Sequence, residues 1–409
     1  MKGSTYGRLS IMMFLEFFIW GAWFVTIGSY LGNIGFSGTD IGYTYLMNNI
    51  AAVISPFFIG MIADRYFSSE KVMGVLHLTG AVIMYFATGI TETTTLIGVL
   101  LLYNVCFMPT LALVNNISFQ QMDNPGKTFP KIRVWGTIGW IVAGLSISFI
   151  LGPIFANVEQ SNVPLKMAAI ASVILGLYSF SLPKTPPKNT GEDVTFGDIL
   201  GLKALKLMKN KSFAAVMVSS LLISVPLAFY FSFTNLYLNE IGMSGVAAKQ
   251  SMGQMSEVLF MVLMPFFFVR LGIKKMLLVG MLAWVLRYAL FAMGDVGGMV
   301  WMLYLGILLH GVCYDFFFVT GQIYVDKKAG EDIRASAQGF ITLVTYGVGM
   351  GLGSVLAGNI VDVFTVDGLK DWTTIWWIPG TFALLVAVFF YFTFNDKVST
   401  RKEGATIEE

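Results

Sequence analysis

Hydrophobic residues in this chain fall into long runs that are interrupted by charged residues, glycine or proline. Each run is long enough to cross the hydrocarbon layer of a membrane as a helix, which takes about 20 apolar residues. A transmembrane β-barrel would instead show alternating segments of about 10 residues. The pattern predicts twelve transmembrane helices, over residues 9–31, 41–63, 72–90, 95–119, 132–154, 165–182, 213–238, 250–269, 275–294, 299–323, 334–361 and 373–394.

A polar gap divides the predicted helices into two sets of six. The gap begins with prolines and continues with apolar residues between lysines, so it is either an interfacial helix on the membrane surface or a plain basic connector. The sequence therefore predicts an N-terminal six-helix bundle, a cytoplasmic linker, a C-terminal six-helix bundle and a cytoplasmic tail, over residues 1–182, 183–212, 213–396 and 397–409.

The two halves repeat charged residues at equivalent helix boundaries. Arg65 returns as Arg270, Asp123 as Asp326 and Arg133 as Arg334, each at an offset close to half the length of the chain. Duplicated halves with a binding site between them are typical of secondary transporters. The repeated charges predict a cytoplasmic gate formed by Asp64, Arg65, Asp123, Arg270, Asp326 and Arg334.

Composition and charge agree with a membrane protein. Hydrophobic residues make up 56% of the chain and charged residues 12%, whereas soluble proteins carry roughly 25% charged residues. The net charge of +2 gives no reason to expect a nucleic-acid partner. If the N-terminus is in the cytoplasm, most of the lysines and arginines lie in cytoplasmic segments. Because such segments are usually rich in these residues, the distribution predicts that both termini are cytoplasmic.

Few charged residues lie in the middle of predicted helices, where each costs about 2.5–3.5 kcal/mol or more to insert. They are Glu16, Glu257, Arg287 and Asp315. A buried carboxyl group can carry a proton when its surroundings change. Asp315 and Glu257, followed by Glu16, are therefore candidates for proton coupling, with Arg287 as a charge partner. The alternatives are a permanent ion pair between Asp315 and Arg287, and a purely structural hydrogen bond at Glu16.

Seven motifs give the chain a resemblance to a known family. The loop Gly60-x-x-x-Asp64-Arg65 resembles the loop motif of the major facilitator superfamily, although Phe67 replaces a glycine of that motif. Within this superfamily the chain resembles the bacterial nucleoside:proton symporters. The motifs that carry this closer resemblance run in order along the chain: Trp20-Gly-Ala-Trp23, Phe107-Met-Pro-Thr-Leu, Ile132-Arg-Val-Trp-Gly-Thr-Ile-Gly139, Gln254-Met-Ser-Glu257, Trp284-Val-Leu-Arg287, Tyr314-Asp-Phe-Phe and Ile333-Arg-Ala-Ser-Ala-Gln-Gly339.

The resemblance implies a fold and a function. The fold would be all-α, with twelve transmembrane helices in two pseudo-symmetric six-helix bundles. The protein would be a proton-coupled nucleoside importer of the bacterial cytoplasmic membrane that works by alternating access, and not an enzyme. Its partners would be nucleosides, protons and the lipid bilayer, with no nucleic acid, cofactor or metal, and it would function as a monomer.

The resemblance also implies a set of substrate contacts. Two of them depart from a member of the family, because His310 stands where that member has tyrosine and Trp140 where it has phenylalanine. Ribose hydroxyls suit carboxylate and amide side chains, and a nucleobase suits the face of Trp140 or Tyr314. The implied contacts are Arg133, Thr137, Trp140, Asn235, Gln254, Glu257, His310, Tyr314 and Asp315.

Other functions remain open at the level of the residues. A proton-coupled sugar or oligosaccharide symporter is the main alternative, because sugars also bind tryptophan faces and carboxylates. A sensor or a channel is a weaker alternative, since neither tail is long enough for a signalling domain and duplicated halves favour alternating access. An enzyme is not expected, because the two histidines, His77 and His310, lie in different halves.

Overall fold

The computed structural model describes residues 3–187, 197, 200–330 and 333–395. Within these ranges the side chains at positions 57, 61, 62, 64, 65 and 126 lie outside the description. The predicted tail over 397–409, residues 188–196 and 198–199 of the predicted linker, and the side chains of the predicted gate residues Asp64 and Arg65 therefore lie outside the described residues.

The described chain is almost entirely helical. The helices are α1 (Gly3–Trp23), α2 (Ile27–Asn33), α3 (Gly38–Arg65), α4 (Ser69–Ala87), α5 (Thr93–Gln120), α6 (Pro125–Leu145), α7 (Val163–Ser179), α8 (Lys211–Glu240), α9 (Val246–Met293), α10 (Val300–Leu308), α11 (His310–Tyr314), α12 (Thr320–Ala329), α13 (Arg334–Thr342), α14 (Met350–Val363) and α15 (Trp372–Thr393).

Short irregular elements connect several of these helices. Two adjoining residue pairs form a small antiparallel hairpin between α14 and α15, which the all-α prediction did not include. The π-helical segments are Ser146–Leu151, Asp315–Val319 and Leu343–Gly349, 3₁₀ helices cover Val158–Gln160 and Leu202–Lys209, and the hairpin consists of β1 (Thr365–Val366) and β2 (Leu369–Lys370).

Among the described residues, eight helical stretches are long and apolar enough to cross a membrane. They are Gly3–Asn33, Thr93–Gln120, Lys127–Leu151, Lys211–Glu240, Val246–Met293, Val300–Ala329, Arg334–Val363 and Trp372–Thr393. The prediction of an α-helical membrane protein is therefore confirmed.

Gly272 interrupts α9, the longest of the helices. Its φ of 66° and ψ of 174° lie outside the helical region, and only glycine adopts such angles without strain. The interruption falls between two predicted helices, 250–269 and 275–294. One continuous 48-residue helix is thereby divided at the place where the charged residues of the sequence predict a loop.

Helices from the first 182 residues pack against helices from residue 211 onward. The main contacts are α3 with α14, α6 with α9, and α2 with α8. Glycines allow the closest approaches, because a Cβ atom at Gly28 would clash with the carbonyl oxygen of Ser232, and one at Gly358 with that of Gly38. Small residues at a helix contact let two backbones come together in this way.

Two carboxylates fix the beginnings of helices outside the apolar runs. Glu92 accepts hydrogen bonds from the backbone N–H groups of Thr94 and Thr95 at the start of α5. Asp371 accepts bonds from the backbone and the hydroxyl of Thr374 at the start of α15. These bonds, chiefly from the Thr95 and Thr374 side chains, hold the pKa of each carboxyl group below its usual range.

The described part of the linker contains a short 3₁₀ helix. This helix, Leu202–Lys209, contacts α13 and α8, and Ala204 is fully buried. Leu202 and Leu205 are exposed. The predicted start of the interfacial helix, at Phe196, lies outside the described residues.

Candidate functional site

A cavity of about 460 Å³ lies at the centre of the helices and contains most of the predicted substrate contacts. The predicted residues that line it are Arg133, Thr137, Trp140, Gln254, Glu257, His310 and Tyr314. Further polar residues of the lining, which the sequence analysis did not select, are Asn48, Asn49, Gln322, Thr342 and Tyr346.

Helical spacing explains why these side chains come together. On α6, Arg133, Thr137 and Trp140 follow each other at four and three residues, so they share one helix face. The helix begins at Pro125, where the Asn124 side chain accepts a hydrogen bond from the N–H of Lys127 at 3.2 Å. Gln254 and Glu257 on α9 are three residues apart and likewise share a face.

Aromatic rings form one wall of the cavity. We call the cluster of Trp20, Phe24, Trp140 and Phe231 the aromatic wall. The Trp20 and Trp140 ring centroids are 5.3 Å apart, and those of Phe24 and Phe231 are 5.4 Å apart. A Cβ atom at Gly21 would lie 3.0 Å from the Cα of Trp140, so glycine lets α1 approach α6 closely enough to build the wall.

The polar side of the cavity combines one cation, one carboxylate and one imidazole. His310 Nε2 lies 3.9 Å from the carboxylate Oε2 of Glu257. The guanidinium of Arg133 lies over the Phe17 ring, 4.1 Å from its centroid. The side-chain oxygen of Gln254 is buried and has no hydrogen-bond partner among the described residues. The cavity thus offers unused hydrogen-bonding capacity beside a small number of charges.

Arg287 stacks on aromatic rings, and the predicted ion pair with Asp315 does not form. Its guanidinium lies 4.0 Å from the centroid of Tyr230. It donates hydrogen bonds to the carbonyl oxygens of Gly306, at 2.8 Å, and Ile307, at 3.4 Å. Its Nη1 atom is buried without a hydrogen-bond partner among the described residues. Backbone carbonyls and π faces hold the rest of this cation in the conformation seen here, and the charge-partner role of Arg287 stays a prediction.

His310 and Tyr314 continue this stack into the cavity. The Tyr230 and His310 rings are 5.0 Å apart at an interplanar angle of 23°, and the His310 and Tyr314 rings are 5.9 Å apart at 28°. The Tyr314 hydroxyl is hydrogen-bonded to that of Tyr346 on the π-helical segment before α14. The buried Arg287 is therefore connected to the cavity through three successive rings.

Asp315 is fully buried but does not line the cavity. It follows Tyr314 directly, and consecutive helical residues point in directions about 100° apart. Both carboxylate oxygens lack a hydrogen-bond partner among the residues that the structure describes. In this conformation Asp315 is therefore not brought to the cavity lining, where the predicted substrate contact would lie. Its carboxylate differs from the other carboxylates because it is buried and has no hydrogen-bond partner in the described part of the chain.

Asn235 also lies away from the cavity lining. It follows Phe231 by four residues on α8 and is therefore one helical turn further along. Its side chain accepts a hydrogen bond from Ser29 at 2.6 Å and donates to Gln250 at 2.7 Å and Glu159 at 3.2 Å. In this conformation the amide of Asn235 is therefore occupied by protein groups, and its role as a substrate contact stays a prediction.

Two carboxylates join distant parts of the chain near this network. Glu159 accepts hydrogen bonds at 3.0 Å from the backbone N–H of Ala247, in the first turn of α9. Asp362 accepts bonds from the backbone N–H groups of Gly38, at 2.6 Å, and Thr39, at 2.8 Å, in the first turn of α3. Carboxylates are favourable there because the first N–H groups of a helix are otherwise unpaired. The sequence analysis missed both, since the capping residues are remote in sequence.

Glu16 forms a second buried polar cluster in the first half of the chain. Its carboxylate lies 2.8 Å from His77 Nε2 and accepts a hydrogen bond from the Thr110 hydroxyl at 2.6 Å. None of the three residues lines the central cavity. The sequence analysis missed the partner role of His77, although a histidine and a glutamate within apolar helices were a usable signal.

The predicted gate residues that the structure describes are only partly connected to each other. Arg334 Nε lies 3.2 Å from the carboxylate Oδ1 of Asp326, and both side chains are partly exposed. The guanidinium of Arg270 lies 3.5 Å from the centre of the Phe266 ring. Asp123 is exposed. Within the described residues, no cluster of three or more histidine, cysteine, aspartate or glutamate side chains could hold a metal ion.

Comparison of this chain with known proteins relates it to nucleoside transporters. A family model described as "Nucleoside H+ symporter" matches residues 3–399. YegT of Escherichia coli (strain K12), whose name assigns it provisionally to nucleoside transport, is 43% identical over 404 residues, covering 96% of this chain and 94% of that protein. The xanthosine permease of the same strain is 37% identical over 405 residues, or 95% of each chain.

A solved structure also relates this chain to nucleoside transporters. The crystal structure of the nucleoside transporter NupG superposes with a TM-score of 0.87 at 34% sequence identity, covering 96% of this chain and 100% of that chain. The resemblance to the nucleoside:proton symporters and the prediction of a transporter instead of an enzyme are both confirmed. The chain belongs to the nucleoside H+ symporter family of membrane transporters.

Proposed function

We propose that this proton-coupled nucleoside importer binds its substrate in the central cavity and works by alternating access between two six-helix halves. The cavity itself is the observation that carries the proposal. It combines the aromatic wall with the carboxylate of Glu257 and the unpartnered side-chain oxygen of Gln254. A nucleoside presents a flat base and a hydroxyl-bearing ribose, and it needs both kinds of surface.

The charges in the lining suit an uncharged ligand. Arg133 and Glu257 contribute one positive and one negative side chain, so their formal charges cancel. We assign the base to the aromatic wall and the ribose hydroxyls to Glu257, Gln254 and Arg133. Thr137, His310 and Tyr314 complete the polar lining. The sugar-symporter alternative is not retained, because the family match covers nearly the whole chain and names nucleosides.

The architecture we propose for this function has twelve transmembrane helices. Dividing α9 at Gly272 and adding α3, α4 and α7 to the apolar stretches gives six helices before the linker and six after it. The halves would cover residues 1–182 and 213–396, joined by the cytoplasmic linker. The paired capping carboxylates support this symmetry, because Glu159 caps the eighth proposed helix and Asp362 caps the second.

The conformation we propose is closed towards the outside. With both termini in the cytoplasm of the bacterial inner membrane, the Glu159 and Asp362 bonds lie at the external ends of the helices. The close approaches at Gly28 and Gly358 lie at the same end. The cavity lining extends to Gln322, near the basic end of α12. We propose that Asp326 and Arg334, with Arg270, Asp123, Asp64 and Arg65, act at that cytoplasmic end.

For proton coupling we propose Asp315 first, Glu257 second and Glu16 third. A carboxylate in a membrane interior has to be neutralised by a proton or paired with a cation. Among the described residues, Asp315 has no hydrogen-bond partner, whereas Glu16 is held by His77 and Thr110. A proton is therefore the available means of neutralising Asp315 in this conformation. We further propose that the protein acts as a monomer in the lipid bilayer.

Uptake into proteoliposomes tests the proposal. Purified protein is reconstituted and supplied with radiolabelled uridine or adenosine, with the pH outside either lower than or equal to the pH inside. Accumulation above the external concentration is expected only with the gradient, and excess unlabelled nucleoside should compete while simple sugars should not. Accumulation that is the same with and without the pH gradient would contradict the proposal. So would competition by simple sugars as strong as that by unlabelled nucleoside.

A further inference from the structure

Two neighbouring asparagines on α3, Asn48 and Asn49, line the cavity from the first half of the chain. Both are almost completely buried. Asn49 donates a hydrogen bond from its amide to the carbonyl oxygen of Tyr45 at 2.9 Å, and its Cβ lies beside Gly351 of α14. Asn49 is therefore held by the protein itself.

Asn48 differs from its neighbour. Its side-chain oxygen is buried and has no hydrogen-bond partner among the described residues. A buried amide without a partner is unfavourable, because water has been removed and nothing has replaced its bonds. Since Asn48 lines a cavity, a bound molecule can supply the missing partner.

The position of Asn48 next to the aromatic wall indicates which part of a substrate it meets. Tyr45 precedes it by three residues on α3, so the two side chains share a helix face. The Tyr45 ring lies 5.3 Å from the Phe24 ring, and its hydroxyl donates to the Phe24 carbonyl at 2.7 Å. Asn48 is therefore held close to one edge of the surface on which a flat base would stack.

We propose that Asn48 is a specificity-determining residue that hydrogen-bonds the polar edge of the nucleobase while the base stacks on the aromatic wall. This inference rests on the proposed function of the cavity. A carboxamide presents an N–H donor and a C=O acceptor side by side, and nucleobases present donors and acceptors side by side on their edges. Rotation of the amide accommodates either order of the two groups. Asn48 thus selects bases with a polar edge over rings without one, and purines and pyrimidines both meet this requirement.

The test compares two ligands that differ only at this edge. One is an ordinary nucleoside, uridine or adenosine. The other is β-D-ribofuranosylbenzene, which carries the same ribose on a phenyl ring with a π face and no polar edge. Binding to the purified full-length protein is measured by calorimetry. In Asn48→Ala, nucleoside affinity should fall about 10-fold, as expected for a lost buried hydrogen bond, and the affinity for the phenyl riboside should stay within about 2-fold.

Asn104→Ala is the matched control. Asn104 is also a buried asparagine with an unpartnered side-chain oxygen, but it lies on α5 and does not line the cavity. Its amide donates to the carbonyl of Leu100 at 2.9 Å. We expect this variant to bind both ligands as the wild type does. If Asn48→Ala fails to fold, Asn48→Leu keeps the side-chain volume and removes the same amide.

The outcomes separate the inference from the function on which it rests. Equal losses for both ligands would mean that Asn48 only shapes the cavity, and unchanged nucleoside affinity would remove it from the site. Either result overturns the inference while leaving nucleoside binding intact. A wild-type protein that binds neither uridine nor adenosine would instead overturn the proposed function of the cavity.

Discussion

Individual polar residues in and near the cavity fall into two groups, those whose hydrogen bonds are used within the protein and those with an oxygen that is free for a ligand. Asn235 and Asn49 belong to the first group. Gln254 and Asn48 belong to the second, because each has a buried oxygen without a partner among the described residues. The distinction depends on neighbours from other helices, so the residue type alone does not reveal it.

Gln254 is expected to bind the substrate directly. Gln254→Ala should weaken nucleoside binding by about 1–3 kcal/mol, the usual cost of leaving a buried polar partner unpaired. Calorimetry on the purified variant measures the loss, and a thermal unfolding curve confirms that the variant folds. Gln250→Ala is a useful comparison, since Gln250 is one turn away on α9 and is bonded to Asn235 instead. Unchanged affinity in folded Gln254→Ala would exclude the residue from the site.

Trp140 is expected to stack on the base. Trp140→Ala should therefore reduce the affinity for nucleosides more than the affinity for free ribose, which lacks a base. A stacked aromatic pair contributes about 0.5–1.5 kcal/mol beyond the burial of its area, so competition binding with both ligands can resolve the difference. Trp23→Ala serves as the control, because Trp23 is buried against Tyr103 and does not line the cavity. Equal losses for nucleosides and ribose would mean that Trp140 only packs the helices.

At the scale of whole elements, helix ends connect the two proposed halves. Glu159 caps α9 and Asp362 caps α3, and each carboxylate comes from the other side of the linker. Hydrogen bonds to a charged group contribute about 1.5–3 kcal/mol each. Opening the external end would have to break them, so these caps favour the closed arrangement.

Removing the charge at Glu159 should therefore favour opening to the outside. We expect Glu159→Gln to shift the equilibrium by about 1–2 kcal/mol, which corresponds to roughly a 5–30-fold change in population. Opening is reported by a single cysteine, Ser232→Cys, in a protein from which Cys106 and Cys313 have been removed. Ser232 is suitable because it is buried where Gly28 meets α8. A membrane-impermeant thiol reagent added from outside should label it faster in the Glu159 variant.

The matched control for this experiment is Glu92→Gln. Glu92 caps a helix in the same way, but its bonds among the described residues go to Thr94 and Thr95 of its own segment. The Glu92→Gln substitution should leave the labelling rate of Ser232→Cys unchanged. If Glu159→Gln labels at the wild-type rate, the cap stabilises α9 locally and does not hold the external end closed.

On the scale of the whole molecule, coupling requires a proton site whose surroundings differ between two conformations. We propose Asp315 as this site, since its carboxylate is buried and unpartnered here while Arg287 contacts Gly306, Ile307 and Tyr230. A rearrangement of the halves would change both the access of water to Asp315 and its distance from Arg287.

Asp315→Asn should uncouple transport from the proton gradient. Asparagine resembles the protonated carboxyl group, so nucleoside binding should persist while gradient-driven accumulation in proteoliposomes is lost. Exchange of labelled for unlabelled nucleoside, which needs no net proton movement, should survive better than accumulation. Glu16→Gln is the comparison, because it changes a buried carboxylate that already has protein partners. If Asp315→Asn still concentrates nucleoside in a gradient-dependent way, Glu257 becomes the leading candidate.

The amino-acid sequence by itself determined the class of the protein and part of the cavity lining. Apolar runs of membrane-spanning length specify helices because an unpaired backbone cannot exist in lipid. Spacings of three and four residues place Arg133, Thr137 and Trp140 on one face, and Gln254 and Glu257 on another. These local rules need no knowledge of neighbouring helices, and the residues concerned do line the cavity.

The tertiary structure alone decided which polar groups are used and which are free. The predicted contact at Asn235 is bonded to Ser29 and Gln250, and the predicted partner of Asp315, Arg287, stacks on Tyr230. The caps at Glu159 and Asp362 and the free side-chain oxygen of Asn48 could likewise not be predicted from the sequence. The physical reason is that a hydrogen bond depends on distances of about 3 Å between groups on different helices, and helical periodicity fixes only the direction in which each side chain points.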